Sequence, residues 1–309
     1  MKCLILGGGG FLGSYLSQTL LAENHHVTVF DQPQARYLDY IRQQGADVTT
    51  GNFLNLAELR QAMEGCDAIY HLLSTTVPQT SNENPQNDIQ TNVIGSLHLL
   101  DEARKCGVKK IIFSSSGGTV YGIPREVPIT ENHVTEPISS YGIGKLAIEK
   151  YLHLYWVLHG LDYCVLRVSN AYGERQPVTP TQGVIASFVS KAVAGEEITV
   201  WGDGSVMRDY IHASDIATAF VQALSHQGDL KIFNIGSGQG HSLNDIIDAI
   251  TSAAGCPLQI KYMQGRPFDV PVNVLDISRA KLHLNWQPQV QLTEGISRTF
   301  QWMLKGELV

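Results

Sequence analysis

The chain opens with Lys2-Cys3-Leu4-Ile5-Leu6, an apolar run that leads directly into Gly7-Gly8-Gly9-Gly10-Phe11-Leu12-Gly13. After the glycines, apolar residues recur at helical spacing as far as Leu20, so the loop lies between a predicted strand and a predicted helix. In that context, backbone N–H groups at the positive end of the helix can bind a pyrophosphate, and Gly13 lets helix and strand approach closely. The glycines fit both G-x-G-x-x-G and G-x-x-G-x-x-G, so they predict a dinucleotide site without choosing a subfamily.

Short apolar segments alternate with helical patterns along the first half of the chain. The predicted strands are residues 2–6, 27–30, 68–72, 110–114 and 163–168. Such alternation is typical of a parallel sheet that helices cover on both faces. The sequence therefore predicts an α/β fold with a Rossmann-type doubly wound parallel sheet and a smaller C-terminal α/β substrate-binding lobe.

The second part of the chain contains more Pro and Gly, which indicates the smaller lobe. Its predicted elements are helices at 184–194 and 214–224, strands at 198–201 and 232–235, and a helix that begins after Ser242 as its cap. The expected division is a cofactor domain of residues 1–168 plus about 210–226, and a smaller lobe of residues 169–209 and 227–309.

Composition limits the classes of function. The 309 residues are 43% hydrophobic and carry a formal net charge of −7 without a cluster of Lys or Arg, so no nucleic acid and no membrane surface is expected as a partner. Five separated cysteines without a C-x-x-C pair indicate free thiols and a cytoplasmic location. No apolar run reaches about 18 residues, so no membrane span is expected. The eleven histidines show no spacing for metal ligands, so no metal is expected.

Asp31 lies at the end of the second predicted strand. A carboxylate there can accept hydrogen bonds from both hydroxyls of an adenosine ribose and repel a 2′-phosphate. An acid at the end of a strand is also a common turn former. Because the glycine loop precedes it, we favour the first interpretation and expect NAD as the cofactor, bound more tightly than NADP.

A hydroxyl-rich segment, Ser114-Ser115-Ser116-Gly117-Gly118-Thr119-Val120-Tyr121-Gly122, lies at the end of a predicted strand, where ligands of a doubly wound sheet bind. Tyr141 and Lys145 follow, four residues apart on one face of a predicted helix. Lowering a tyrosine pKa from about 10 to about 7 takes roughly 4 kcal/mol of preferential phenolate stabilisation. A nearby ammonium and an oxidised nicotinamide, both positive, can supply it.

These motifs resemble those of the extended short-chain dehydrogenase/reductase superfamily over nearly the whole chain. The resemblance also rests on Arg167-Val168-Ser169-Asn170-Ala171-Tyr172-Gly173, Arg208-Asp209-Tyr210 and Arg266-Pro267-Phe268-Asp269. Within the superfamily, the chain is similar to the NAD-dependent nucleotide-sugar epimerases and dehydratases, and most similar to the UDP-glucose 4-epimerase group. The resemblance implies that Tyr141 takes the proton of the sugar 4-hydroxyl as hydride leaves C4. The 4-keto sugar then turns over and receives the hydride on its other face.

The resemblance also implies roles for individual residues. Ser116, Tyr141 and Lys145 are the expected catalytic residues, and Ser115 or Thr119 could replace Ser116 because the following loop is one residue longer than in the best-known epimerases. The expected cofactor-binding residues are Gly7, Gly10, Phe11, Leu12, Gly13, Asp31, Asn52, Phe53, Leu72, Asn92, Tyr141 and Lys145. The expected substrate-binding residues are Ser116, Thr119, Asn170, Arg208, Arg266, Asp269 and Asn273, with the two arginines on the pyrophosphate.

Several alternatives stay open at this point. Related dehydratases carry an Asp-Glu pair where this chain has Gly117-Gly118, so elimination of water is not expected. A 4-ketoreductase, a uronate epimerase or a decarboxylase is an alternative, and so is a non-catalytic NAD-sensing protein, although such proteins usually lose the Tyr or the Lys. The resemblance implies that the position of Asn273 borders the sugar pocket, where a bulky aromatic excludes N-acetyl sugars, so the UDP-N-acetylhexosamine pair is an expected substrate beside UDP-glucose and UDP-galactose.

The predicted helix 146–158 is apolar around more of its circumference than one core-facing stripe requires. Its exposed remainder suggests a surface for a partner. The resemblance implies a homodimer built on this helix and the helix near 89–106, and simple burial of the helix is the alternative.

Overall fold

The computed structural model describes residues 1–179, 183–265 and 270–306. The strands within these ranges are β1 (Lys2–Leu6), β2 (His26–Asp31), β3 (Asp47–Thr50), β4 (Ala68–His71), β5 (Lys110–Ser116), β6 (Asp162–Val168), β7 (Asn170–Tyr172), β8 (Ile198–Trp201), β9 (Met207–His212), β10 (Ile232–Ile235), β11 (Gly240–Ser242), β12 (Ile260–Met263) and β13 (Val272–Asn273). The helices are α1 (Phe11–Ala22), α2 (Leu38–Gln43), α3 (Leu56–Ala62), α4 (Pro78–Glu83), α5 (Pro85–Asp88), a π-helical segment (Ile89–Ile94), α6 (Gly95–Lys105), α7 (Ser140–His159), α8 (Val184–Ala194), α9 (Ala213–Ser225), α10 (Leu243–Ala254), α11 (Ser278–His283) and α12 (Leu292–Leu304).

Seven parallel strands form the central sheet in the order β10-β6-β5-β4-β1-β2-β3. The strand order reverses between β1 and β4, and ligands of such sheets bind in the crevice outside the carboxyl ends at that point. The loops after β1, β4 and β5 all open at this edge. The predicted doubly wound sheet is confirmed.

Strand β1 shows why a continuous apolar run forms a central strand. Cys3 and Ile5 belong to the core on one face of the sheet, and Leu4 and Leu6 belong to the core on the other face. All four side chains are fully buried. Because neighbouring side chains of a strand point to opposite faces, only an unbroken apolar sequence suits a strand that is covered on both sides.

The smaller lobe is built on β9. Strand β11 pairs with β9 in antiparallel orientation, and β7 and β13 pair with β9 in parallel. Strands β8 and β12 form a separate two-stranded ladder. Helices α8, α10 and α12 pack around a third core that includes Phe188, Ile246 and Phe300. Helix α10 begins at a capping box, since Ser242 Oγ accepts from the Asp245 N–H at 3.1 Å and the Asp245 carboxylate accepts from the Ser242 N–H at 2.7 Å. The predicted cap is confirmed.

Two late segments belong with the large sheet and its core rather than with the smaller lobe, where the sequence placed them. Strand β10 pairs in parallel with β6 and completes that edge of the sheet, and Phe233 enters its core. Trp286, which follows α11, packs into the same core and donates from its indole N–H to the Asp215 carbonyl at 3.0 Å. The physical reason is that β6 would be an unpaired edge strand without β10, and its side chains need an apolar cover. The remaining division into two lobes stays a prediction.

None of the helices in the described ranges is long and apolar enough to cross a membrane. All five cysteines are described, and all five are free thiols. The predicted isolated thiols are therefore confirmed.

Candidate active site

The glycine loop packs as tightly as its sequence predicts. A Cβ atom added at Gly13 would lie 2.5 Å from the Gly8 Cα, and one added at Gly8 would lie 2.7 Å from the Val29 side chain. Gly7 has φ of +80°, a conformation that favours glycine. Side chains are excluded at Gly13 because α1 lies directly against the loop, and at Gly8 because Val29 of β2 fills the space.

The same loop offers unsatisfied donors at the start of α1. Gly10 is the cap residue, no side chain caps the helix, and the first turn carries no acidic residue. A Cβ atom at Gly10 would meet only the Gly7 carbonyl, at 3.4 Å, so this side of the loop is open. Phe11 and Leu12 follow as half-buried residues of the first turn. The N–H groups and the positive helix end therefore fit a pyrophosphate.

Asp31 closes the loop from the end of β2. Its carboxylate accepts from the Gly9 N–H at 2.9 Å and from the Gln32 N–H at 2.8 Å. Burial raises the pKa of Asp31, and these two N–H groups oppose the rise. One lone pair on each oxygen is still available, which suits two ribose hydroxyls.

Three further predicted cofactor contacts lie at the same edge of the sheet, but their side chains are used differently. Phe53 is buried beneath the helices, with its ring 5.6 Å from the His71 ring, so its side chain is part of the core. The Asn52 side-chain Oδ1 accepts from the Leu54 N–H at 3.0 Å and stabilises the turn after β3. Leu72 is half-buried and donates its N–H to the Leu6 carbonyl at 3.0 Å. A cofactor contact by any of the three stays a prediction.

Asn92 organises the loop after β4 from within the π-helical segment. Its side-chain oxygen accepts from the Thr75 N–H at 2.9 Å, and its amide donates to Asp88 at 2.9 Å. Asp88 is fully buried and also accepts from the Ser140 hydroxyl at 2.7 Å and from the Thr76 hydroxyl. We did not identify Asp88 from the sequence, although its position four residues before Asn92 places both on one helix face.

Tyr141 and Lys145 lie in the first half of α7, which Ser139 caps by accepting from the Gly142 N–H. The Lys145 ammonium donates to the Ser114 carbonyl at 2.9 Å and lies 5.5 Å from the centre of the Tyr141 ring. The helix thus brings the phenol and the ammonium together at the end of β5, as the spacing predicted.

Burial shifts the two pKa values of this pair in opposite directions, down for Lys145 and up for Tyr141. Burial lowers the pKa of Lys145 to about 8, against the opposing charges of Asp88 and Glu149. Burial and the charge of Asp88 raise the pKa of Tyr141 to about 12. The protein alone therefore does not lower the pKa of the phenol, and a phenolate near neutral pH needs the added stabilisation of a bound positive group.

The hydroxyl groups at the end of β5 and in the following loop differ in burial and in hydrogen bonding. Ser115 is buried and donates to Glu149 at 2.5 Å, so its hydroxyl serves an internal network. Ser116 is half-buried at the end of the strand, and Thr119 Oγ1 is buried without a hydrogen-bond partner among the described residues. Ser116 and Thr119 stay as candidates for the sugar contact, and Ser115 is disfavoured.

The smaller lobe supplies the other predicted substrate residues. Arg208 lies on β9 directly opposite Asn273 of β13 and donates to the Val270 carbonyl at 2.6 Å. Asn273 is buried, and within the part of the chain that is described its Oδ1 accepts no hydrogen bond. Asn170 donates to the Asp209 carbonyl at 2.9 Å and so ties β7 to β9. The predicted residues Arg266 and Asp269 lie outside the described residues.

Asp209 is a second buried carboxylate that the sequence did not single out. It accepts from the backbone N–H groups of Ser237 and Leu275, at 2.7 and 3.2 Å, and from the Ser169 hydroxyl at 3.2 Å. It therefore holds three loops around β9 and fixes the strand that carries Arg208. The Arg208-Asp209-Tyr210 motif contained the signal, but only the arginine suggested chemistry.

Comparisons with known proteins agree with this geometry. The UDP-glucose 4-epimerase of Mycolicibacterium smegmatis is 35% identical over 312 residues, which cover 98% of both chains. The dTDP-4-dehydro-6-deoxyglucose reductase of Escherichia coli is 32% identical and covers 96% of this chain and 95% of its own. Related proteins therefore include more than one activity.

Solved structures give the same relationship. The UDP-glucose 4-epimerase of Thermotoga maritima with UDP-glucose superposes with a TM-score of 0.93 at 34% identity, and 99% of each chain is covered. The Thermus thermophilus UDP-glucose 4-epimerase complex with NAD gives 0.88 at 30% identity, covering 99% of this chain and 100% of the other. The UDP-N-acetylglucosamine 4-epimerase of Methanobrevibacter ruminantium superposes with a TM-score of 0.92 at 27% identity, covering 99% of this chain and 98% of the other.

A family model matches residues 3–236, from the first strand through the last strand of the large sheet. This range includes the glycine loop, Asp31 and the Tyr141/Lys145 pair. The chain belongs to the NAD dependent epimerase/dehydratase family.

Proposed function

We propose that the protein is an NAD-dependent epimerase that inverts C4 of a UDP-hexose through a transient 4-keto sugar. The observation that carries the proposal is the Tyr141/Lys145 pair held at the end of β5, at the sheet edge where the bare glycine loop begins α1. The UDP-glucose 4-epimerases of M. smegmatis and T. maritima, similar over almost their whole length, support the choice of reaction.

The local packing also argues against elimination of water from the sugar. A Cβ atom at Gly117 would lie 2.5 Å from the Leu275 side chain and 3.0 Å from the Arg167 carbonyl. An acidic side chain at that position would clash with both. The loop after β5 therefore lacks the acid and base that the related dehydratases use there.

Each side chain at the site has a distinct part in the reaction. Tyr141 accepts the proton of the 4-hydroxyl and returns it to the 4-keto oxygen after the sugar has turned. Lys145 is held by the Ser114 carbonyl and stabilises the phenolate through its charge. Ser116 or Thr119 donates to the sugar oxygen and keeps it near Tyr141. Bound NAD supplies the oxidised ring that accepts hydride from C4 and gives it back.

The smaller lobe binds the nucleotide portion of the substrate. We assign the pyrophosphate to Arg208 and Arg266, whose guanidinium groups match phosphate oxygens. By resemblance, we also assign Asn170 and Asp269 to substrate binding in this lobe. In this assignment the nucleotide stays bound to the smaller lobe while the 4-keto sugar rotates.

Asn273 supports a broader choice of sugar. Its side chain is small, and its buried Oδ1 has no partner among residues 1–179, 183–265 and 270–306. The acetamido N–H of an N-acetylhexosamine could donate to this oxygen, since a buried acceptor without a donor is unfavourable. The structural likeness to the UDP-N-acetylglucosamine 4-epimerase agrees with this extension.

We further propose a cytoplasmic homodimer. Val157 and Leu158 on α7 are each more than 60% exposed, and Leu154 is 42% exposed. Tyr155 on the same helix donates to Asp101 of α6 at 2.7 Å, so the two helices present one surface. Light scattering of the purified protein is expected to give twice the chain mass, and Val157→Asp is expected to give a monomer. A monomeric wild-type protein would remove this part of the proposal.

Proton NMR of the purified protein with UDP-galactose and no added NAD tests the reaction. UDP-glucose should form at the expense of UDP-galactose, and Tyr141→Phe should abolish the conversion. Tyr155→Phe is the control, because it removes a phenol on the same helix but away from the site. Consumption of NADPH in proportion to product from a 4-keto nucleotide sugar, without conversion of UDP-galactose, would indicate the reductase instead.

A further inference from the structure

A cavity of about 600 Å³ that opens widely to solvent lies on the outer face of α1. Helices α1, α2 and α12 and the loop after β7 form its walls, and the lining includes Tyr15, Tyr40, Arg175, Arg298 and Trp302. None of the predicted cofactor or substrate residues lines it. Its volume is in the range of small-molecule sites and far exceeds that of a single inorganic ion.

Arg175 is the unusual residue of this cavity. It is only 7% exposed, yet it takes part in none of the ion pairs among the described residues. Its guanidinium lies 3.8 Å from the centre of the Tyr15 ring and 5.1 Å from that of Tyr40, and its Nη1 has no hydrogen-bond partner there. Cation–π contacts offset only part of the cost of burying a charge, so an anion beside Arg175 is expected.

The carboxylate of the neighbouring residue Glu174 already has its own hydrogen-bond partners. Glu174 accepts from the Tyr15 hydroxyl at 2.7 Å, from His212 Nε2 at 2.9 Å and from Arg298 Nε at 3.0 Å. Burial opposes ionisation, but these hydrogen bonds lower the pKa of Glu174 to about 2. The ionised lining residues are then two guanidiniums and one carboxylate, a locally positive lining in a chain of net charge −7.

The backbone at Arg175 gives an independent reason. Its φ is +68°, in the left-handed region that costs a non-glycine residue on the order of 1 kcal/mol or more. The Arg175 carbonyl accepts from the Tyr37 hydroxyl at 2.6 Å, and the Tyr37 N–H donates to the Gly9 carbonyl at 3.0 Å. The strained residue is thus held in place by a contact that leads directly to the glycine loop.

We propose that this cavity is a second ligand site, which binds a small organic anion that combines a phosphate or carboxylate with a flat ring. The anionic group pairs with Arg175 and Arg298, whose planar guanidiniums suit such oxygens. The ring packs against Tyr40 of α2 and Trp302 of α12, which are half-buried and line the same cavity.

Phenyl phosphate is the probe that tests this site. The full-length protein, with its retained cofactor and saturating UDP present, is titrated calorimetrically. The tryptophan fluorescence of the protein is followed in parallel. One molecule is expected to bind per chain, and inorganic phosphate is expected to bind at least about tenfold more weakly because it lacks the ring. Trp302→Phe should remove most of the fluorescence change.

Three variants locate the binding. Arg298→Gln should weaken phenyl phosphate about tenfold through loss of a charge-assisted contact, whereas Arg42→Gln, which breaks an exposed ion pair elsewhere, should have no effect. Ala22→Trp fills the cavity from the exposed end of α1 and should abolish binding without removing a charge. No binding to the wild type, displacement of the probe by UDP, or unchanged affinity in Ala22→Trp would overturn the proposal.

Discussion

Glu149→Gln should strongly destabilise the protein, although it replaces one side chain by another of nearly equal size. Glu149 and Arg167 form an ion pair whose side chains are 1% and 3% exposed. Two hydrogen bonds join them, from Arg167 Nε at 3.0 Å and from Nη2 at 2.6 Å, and Ser115 donates to the same carboxylate. A glutamine would leave the guanidinium charged, buried and facing an amide.

The expected cost follows from this geometry. Removing one partner of a buried pair costs about 3–5 kcal/mol, because the remaining charge cannot reach water. The contact left to Arg167 is a cation–π contact 4.8 Å from the centre of the Tyr121 ring, which offsets only part of the cost of a buried charge, and its Nη1 lacks a hydrogen-bond partner among the described residues. At roughly 2–4 °C per kcal/mol, the melting temperature should fall by on the order of 10 °C.

Thermal unfolding followed by circular dichroism measures this change. Glu197→Gln is the matched control, because it removes an exposed pair with Lys261 at 3.7 Å and should cost less than about 1 kcal/mol. Glu149→Gln/Arg167→Met, which removes both charges, should recover part of the loss. A melting temperature of Glu149→Gln equal to that of the Glu197→Gln control would refute the reasoning.

Three more predictions concern the site itself. Gly13→Ala places a methyl group 2.5 Å from Gly8, so the purified variant should retain little NAD by absorbance, and full retention would contradict the packing argument. The burial-lowered pKa of Lys145, about 8, means that the ammonium is present below that pH, so kcat/KM should fall as pH rises through about 8; a flat profile to about pH 10 would exclude this role. Asn273→Tyr should suppress turnover of the UDP-N-acetylhexosamine pair far more than that of UDP-galactose, and an equal loss on both would remove Asn273 from sugar selection.

The sequence was sufficient wherever a local pattern implies one geometry. The apolar run of β1 had to be buried on both faces, and the glycines that follow it had to pack against α1 because Gly13 leaves no room for a side chain. The spacing of Tyr141 and Lys145 likewise fixed their common helix face. Period and spacing are local properties, so no tertiary information was needed.

Contacts between distant segments could not be read in the same way. Strand β10 is a four-residue apolar run that suits any sheet edge, and only the completed core decides that it pairs with β6. The hydroxyl run after β5 did not show that Ser115 faces Glu149, because the direction of each side chain depends on where the strand ends. Asp88 was missed because its donors come from three separate elements.

The central claim is that one protein site removes hydride from C4 and restores it to the same carbon. The most direct measurement uses UDP-galactose deuterated at C4, incubated with the purified protein in ordinary water, with the UDP-glucose product analysed by NMR and mass spectrometry. The account predicts that deuterium stays at C4 of the product without loss to solvent. Product that carries hydrogen at C4, or deuterium released into water, would contradict it.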